Sequence, residues 1–278
     1  MQYCDFIRSY SALLNSAEDI LLGGYAPVQW PAVDPGMPTV VIFSPHPDDE
    51  ILAGAPLATR FRQEGCRVIN IAMTLGRPAQ RPRRFRELEG ACAHIGFEFG
   101  LLATKGFESV KDSLIGRPDW LENVKIITTF LKETSPEVII VHHLEDCHPD
   151  HQGTALMIRD AIVAAQWSGY LFEAEYWRDM RTPNMMLEVD AVSLERMLEA
   201  LSFHKEELER NPYHVRWLAD LTRNVRRSEV VLGWGTAAPA LDFATLYRRN
   251  FCTVGVIDPV IPVSPIWTKD MPILPLVQ

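Results

Sequence analysis

Short apolar runs alternate with segments of helical periodicity along the N-terminal part of the chain. Three runs are apolar throughout and rich in β-branched residues, which predicts strands buried on both faces: Thr39–Ser44, Arg67–Met73 and Val138–His142. After each strand, apolar positions recur with the spacing of a helix face. The predicted helices begin near Ile51, Arg84, Asp119 and Gly153, the second ending at Gly96 and the third having Asp119 as its N-cap.

Strands that alternate with helices predict an α/β fold, with a mostly parallel sheet covered by helices on both faces. Residues 1–38 form an N-terminal extension, a helix followed by a linker rich in proline and glycine, and residues 39–257 form the main domain. This domain includes a strand near Leu187–Val189 and a charged helix over Ser193–Arg210. Residues 258–278 contain five prolines and are expected to extend over the body or a neighbouring subunit, which leaves a homo-oligomer open.

The composition argues against several classes of function. The 278 residues include 36 acidic and 27 basic side chains, a net charge of -9, which disfavours nucleic-acid binding through phosphate contacts. No apolar run approaches the ~18 residues that span a bilayer, and Met1–Arg8 lacks the character of a secretory signal. We therefore expect a cytoplasmic protein with no membrane partner. Five scattered cysteines indicate neither a disulfide framework nor a zinc ribbon, and we predict that they are buried thiols.

The candidate chemistry follows two predicted strands. Ser44–Glu50 (SPHPDDE) and Asp146–His151 (DCHPDH) both contain the sequence His-Pro-Asp. In open α/β sheets, ligands bind beyond the carboxyl ends of the strands, so both motifs are expected at one edge. An acid taken alone is more simply a helix N-cap, but two such motifs at equivalent positions predict a metal site. Imidazole and carboxylate ligands with one open position are typical of catalytic zinc, and iron(II) suits the same set.

The same motifs resemble those of a known family. Pro45–Glu50 resembles the P/A-H-P-D-D-E motif of the PIG-L/LmbE deacetylases, and Asp146–His151 resembles their D-x-H-x-D-H motif. Arg84-x-x-Glu87, with Ala91 and Gly96, resembles a helix of the family. The resemblance covers about residues 39–205 and implies a Rossmann-like, LmbE-like fold.

The resemblance also implies a function, the zinc-dependent hydrolysis of an N-acetyl group on an N-acetylglucosamine-like conjugate, a small amino-sugar molecule. The matching positions imply His46, Asp49 and His151 as the zinc ligands. A zinc ion bound in this way lowers the pKa of its water to about 7 and so supplies hydroxide near neutral pH.

The resemblance further implies Asp48 as the general base acting on the zinc-bound water. His148 would stabilise the oxyanion or protonate the leaving amine, and Asp150 would orient it. Arg84 is the candidate substrate contact. Glu50 either supports the site from behind or caps the following helix.

Several alternatives remain open at this stage. The turn Thr74–Arg77 (TLGR) departs from the T-x-G-E segment of the family, which weakens the prediction of the substrate. Five arginines lie between residues 77 and 86, and they either bind an anionic group or form a solvated surface. The enzyme could instead be an amidase for a larger acyl group or a thiol-conjugate amide. A non-catalytic metal- or ligand-binding module is the alternative outside enzymology.

Overall fold

The computed structural model describes residues 2–277, and the predicted parallel strands form the centre of its sheet. Five parallel strands are β1 (Thr39–Ser44), β2 (Arg67–Ala72), β3 (Glu98–Gly100), β4 (Val138–His142) and β5 (Gly169–Ala174). Their order is β3-β2-β1-β4-β5. Four further strands follow: β6 (Met185–Glu188), β7 (Ala244–Thr253), β8 (Val256–Pro259) and β9 (Ile266–Trp267). Strand β7 pairs antiparallel with β5, β6 and β8, and β6 pairs parallel with β9. Because the pairs among β1 to β5 are all parallel, the sheet is mostly parallel, as predicted.

Helices cover both faces of this sheet. The α-helices of the described chain are α1 (Tyr3–Ser16), α2 (Ala55–Gln63), α3 (Arg81–Ile95), α4 (Pro118–Thr134), α5 (Pro149–Ala165), α6 (Ala191–Leu201), α7 (Lys205–Arg210), α8 (Tyr213–Arg226) and α9 (Glu229–Leu232), of which α1 has no buried residue. Alternate side chains of β1 enter opposite cores. Val40 and Ile42 pack in the core that contains α2, α3 and α6, whereas Val41 and Phe43 pack in the core that contains α4 and α5. The α/β fold with two covered faces is therefore confirmed.

Two predicted helix starts are wrong in ways that matter for the chemistry. Asp119 is not an N-cap, because α4 already begins at Pro118 and Arg117 occupies the cap position. Helix α5 begins at Pro149, four residues before the predicted start. Proline suits the first helical position because its fixed φ is helical and its missing N–H would be unpaired there. The earlier start places His148 at the N-cap and brings the last three residues of the DCHPDH motif, Pro149, Asp150 and His151, into the first turn.

The second half of the chain departs further from the prediction. The helix predicted over Ser193–Arg210 is two helices, α6 and α7, separated by residues 202–204. His204 occupies the N-cap position of α7 with ψ 61°, outside the helical region. Its imidazole is fully buried against Glu50, and this contact accompanies the change of chain direction.

The C-terminal tail packs on its own domain. The guanidinium of Arg60 donates hydrogen bonds to the carbonyls of Thr268, Lys269 and Met271, and Ile273 and Leu276 are buried. Of the two predicted arrangements, the tail therefore follows the one over the body. Within residues 2–277, no helix has both the length and the apolar character needed to cross a bilayer.

The cysteines fit the prediction only in part. All five are free thiols, and Cys66, Cys92 and Cys252 are buried. Cys4 and Cys147 are exposed, so the prediction of buried thiols is wrong for these two. Cys4 lies on α1, none of whose described residues is buried, and Cys147 lies in the loop between β4 and α5.

Candidate metal centre and active site

The two His-Pro-Asp motifs meet at one edge of the sheet. Strands β1 and β4 are parallel neighbours, so the loops that follow Ser44 and His142 leave the sheet side by side. Helix α5 then begins directly behind the second loop and presents His151 in its first turn. The expected convergence beyond the carboxyl ends of the strands is what the structure has.

The three predicted metal ligands converge on one carboxylate oxygen. Asp49 Oδ2 lies 3.3 Å from His46 Nδ1 and 3.3 Å from His151 Nε2. Both imidazoles hold a second carboxylate on their other nitrogen: His46 Nε2 lies 3.0 Å from Asp150 Oδ2, and His151 Nδ1 lies 3.4 Å from Asp146 Oδ1. Metal-binding histidines usually have their outer nitrogen fixed by a carboxylate in this way. These residues therefore fit a divalent transition metal ion.

Among the described residues, the trios of side chains whose ligand atoms lie together differ from the predicted set of His46, Asp49 and His151. His46, His148 and His151 form one trio whose candidate ligand atoms lie within 4.8 Å of one another, and Asp49, His142 and His151 form another. His142, the last residue of β4, is 2 % exposed, and its Nε2 lies 3.6 Å from Asp49 Oδ1. His151 belongs to both trios, so it is the histidine common to all three arrangements.

The electrostatics of the site favour a cation between its carboxylates. Burial would raise the pKa of Asp49, but the neighbouring imidazoles of His151 and His142 hold it well below its ordinary value. Burial would lower the pKa of His151, yet Asp49 and Asp146 raise it to about 10. A protonated imidazole thus balances the buried carboxylates, and a metal cation would serve the same electrostatic purpose.

Asp48, the predicted general base, has an unusual backbone. Its φ of 120° is rare for a residue with a side chain, and such strain is found where the surroundings hold a functional group in place. The carboxyl is 7 % exposed and lines the cavity described below. Burial and the adjacent charge of Asp49 raise its pKa to about 7. A neighbouring metal cation would lower this pKa again, because it stabilises the carboxylate.

The predicted pairing of His148 with Asp150 takes a different form. The backbone amide of Asp150 donates to His148 Nδ1 at 3.3 Å, whereas its carboxylate contacts His46. A neutral His148 ring that accepts at Nδ1 carries its proton on Nε2. Asp150 therefore positions His148 through the main chain and His46 through the side chain, because the first turn of α5 aims its amide at the N-cap.

Glu50 supports Asp48 from behind. Its Oε2 accepts a hydrogen bond from the backbone N–H of Asp48 at 2.8 Å, and its Oε1 lies 2.6 Å from His204 Nε2. Glu50 and His204 are fully buried. Glu50 lies in a short π-helical turn, Glu50–Gly54, that precedes α2, and it makes no side-chain cap to that turn. Of the two alternatives left open by the sequence, support of the site is the one that the contacts favour.

Glu50→Ala is expected to lower kcat about 10–100-fold with a smaller change in KM, because the strained Asp48 loses the acceptor for its N–H. Glu50→Gln should retain most activity, since an amide oxygen can accept the same hydrogen bond. Steady-state kinetics of both variants, with thermal melts to verify folding, test this. Equal losses in the two variants, or an unchanged kcat in Glu50→Ala, would contradict the positioning role.

A cavity of about 480 Å³ opens over these residues. Tyr176, Trp177 and Tyr213 line one side, with ring centroids 5.3–6.2 Å apart in edge-to-face contact. The guanidinium of Arg216 lies 4.2 Å from the centroid of Trp177. Aromatic rings of this kind give an apolar surface with polar tips, so the cavity combines a charged floor with an aromatic wall.

The five arginines between residues 77 and 86 differ in their partners. Three of them form ion pairs: Arg81 with Glu108 at 2.7 Å, Arg83 with Glu87 at 2.5 Å and Arg84 with Glu207 at 2.9 Å. In the described part of the chain, Arg77 and Arg86 form none. Arg84 lines the cavity as predicted, but its charge is already partnered, so its contact with a substrate stays a prediction.

Residues 41–162 match the family described as PIG-L, GlcNAc-PI de-N-acetylase. This segment contains both His-Pro-Asp motifs and every predicted site residue. The match to the PIG-L family is confined to this segment, which is less than half of the chain. The match supports a hydrolytic deacetylase, and the segment contains His/Asp groups able to hold a metal ion. No curated protein matches the chain in sequence.

Solved structures share the fold of this chain at low sequence identity. The N,N'-diacetylchitobiose deacetylase of Pyrococcus horikoshii is 16% identical, with a TM-score of 0.58 over 79% of this chain and 85% of its own. A zinc-inhibited teicoplanin deacetylase is 14% identical, with a TM-score of 0.55 over 80% and 98%. The 4-carboxy-2-hydroxymuconate hydratase of Pseudomonas putida KT2440 is 15% identical, with a TM-score of 0.56 over 77% and 96%. Because the last is a hydratase, these similarities establish the fold and not the reaction.

Proposed function

We propose that the protein is a metal-dependent de-N-acetylase that acts on an N-acetylglucosamine-like conjugate. The observation that carries this proposal is the convergence of His46 Nδ1 and His151 Nε2 on Asp49 Oδ2, with Asp48 beside them in the same cavity. A divalent ion held by His46, Asp49 and His151, with zinc as the first candidate and iron(II) as the second, would polarise the amide carbonyl and promote ionisation of water.

The residues of the chain account for the remaining steps. Asp48 takes a proton from the attacking water while the water oxygen forms a bond to the carbonyl carbon. The C–N bond of the amide then breaks. The proton passes to the leaving nitrogen, so the products are acetate and a free amine. His148 donates from Nε2 to the carbonyl oxygen as negative charge develops on it. Asp150 holds His148 by its backbone amide and His46 by its carboxylate.

The aromatic wall supports a sugar ring as the neighbouring group of the substrate. Trp177 and Tyr213 offer apolar ring surface, while Gln80 and Asn211, which also line the cavity, offer hydrogen-bonding groups for hydroxyls. An apolar surface with a few placed polar groups is typical of a small-molecule site.

Incubation with N-acetylglucosamine conjugates is expected to release acetate and free amine in equal amounts. Prior treatment with a chelator should abolish this release, and added zinc or iron(II) should restore it, because the floor of the cavity has no other positive centre of comparable charge density. Acetate assay with parallel elemental analysis measures both. Release of free amine from longer acyl amides but not from acetyl amides would favour the amidase alternative. A metallated protein that hydrolyses none of these amides would contradict the proposal.

A further inference from the structure

The cavity is lined by charged side chains of both signs. Its floor holds the carboxylates of Asp48, Asp49 and Asp150, which the proposed function uses. The other charged side chains that line it are three arginines and one carboxylate: Arg77, Arg84, Arg210 and Glu207. These four side chains therefore carry an excess of two positive charges, in a chain whose net charge is -9.

Glu207 engages two of these arginines and leaves the third free. Its Oε1 lies 2.9 Å from Arg84 Nη2, and its Oε2 accepts a hydrogen bond from Arg210. Arg77 is exposed, and it forms no ion pair or side-chain hydrogen bond with residues 2–277. The donors of its guanidinium are thus available at the cavity, whereas those of Arg81 nearby are engaged by Glu108.

We propose that the substrate carries an anionic substituent, a carboxylate or a phosphate, which Arg77 binds at the edge of the cavity. This inference rests on the proposed deacetylation, because it describes the substrate of the same site. A guanidinium can present two parallel N–H donors to either anion. The arginine excess around Arg84 and Arg210 adds a favourable field for the same charge.

The test uses three N-acetylated substrates: neutral N-acetylglucosamine, N-acetylglucosamine 6-phosphate and N-acetylmuramic acid, which carries a carboxylate. Arg77→Ala is expected to lower kcat/KM about tenfold for an anionic substrate and to leave the neutral one unchanged. The backbone carbonyl of Arg77 accepts from the amide of Gln80, a contact that the substitution keeps. The substrate that responds identifies phosphate or carboxylate as the source of the charge.

Arg86→Ala is the matched control. Arg86 belongs to the same cluster, is exposed and unpaired within the described chain, and does not line the cavity. Its removal should change no rate. Equal effects of Arg77→Ala on neutral and anionic substrates, or equal effects of the two alanine variants, would overturn the inference.

A binding measurement separates this inference from the proposed function. Glucosamine and glucosamine 6-phosphate carry no acetyl group, so calorimetric titration of the metallated protein at constant ionic strength measures recognition without turnover. Tighter binding of the phosphate form that is lost in Arg77→Ala, with no acetate released from any substrate, would reject the deacetylation and keep the anion site. Acetate release with equal binding of the two amines would reject the anion site and keep the deacetylation.

Discussion

Asp48→Asn is expected to lower turnover about 10²–10⁴-fold while the protein keeps its metal. An asparagine amide has nearly the shape of the carboxyl but cannot accept a proton from water. Asp48 belongs to neither trio of side chains whose ligand atoms lie together, so metal content should not fall. Steady-state kinetics and elemental analysis of the same preparation test the two halves of this expectation.

A control variant and two contrary outcomes complete the test of Asp48. Asp119→Asn, an exposed residue on α4 outside the cavity, makes the same chemical change and should have wild-type activity. A non-catalytic binding module would show no dependence on Asp48, because binding requires no proton acceptor. Wild-type turnover in Asp48→Asn would therefore remove Asp48 from the mechanism, and loss of the metal would assign it to the ligands instead.

The centre of the sheet could be predicted because β2, β1 and β4 are almost continuously apolar, whereas β3 and β5 were not predicted. The bounds of β1 and β4 match the prediction, since Thr39–Ser44 and Val138–His142 are bordered by polar or proline-containing segments. Strand β7 escaped prediction because Arg248, Arg249 and Asn250 interrupt its apolar pattern. Arg249 Nε donates to the carbonyl of Leu276 and Asn250 to that of Leu171. Such distant partners make polar residues compatible with a buried strand, and local sequence does not reveal them.

The residues of the site show the same difference between features that local sequence reveals and features that depend on distant partners. Residues within the two motifs could be named from sequence because each motif directly follows a strand. His142 was visible only as a strand residue, and its proximity to Asp49 depends on β4 lying beside β1. His204 is 154 positions from Glu50 in sequence, so their contact arises only from the packing of the fold. Sequence motifs thus supplied the candidate reacting groups, while the contacts of His142 and His204 with them came from tertiary structure.

His151→Ala is expected to remove both the metal and the activity. His151 is common to the predicted ligand set and to both trios found in the structure, so no arrangement of ligands survives without it. It is 1 % exposed and lies in the first turn of α5. Elemental analysis of the purified variant should find far less than one equivalent of zinc or iron, and acetate release should fall to background.

Two further histidine variants decide which ligands act with His151. His214→Ala, a half-buried histidine outside the cavity, should keep metal and activity and so controls for the loss of an imidazole. His142→Ala should keep the metal, because the predicted ligands are His46, Asp49 and His151. Metal loss in His142→Ala would instead favour the trio that contains Asp49 and His142. Retention of a full equivalent in His151→Ala would contradict every arrangement, since the remaining carboxylates and imidazoles would then have to bind the ion without the histidine that all three arrangements share.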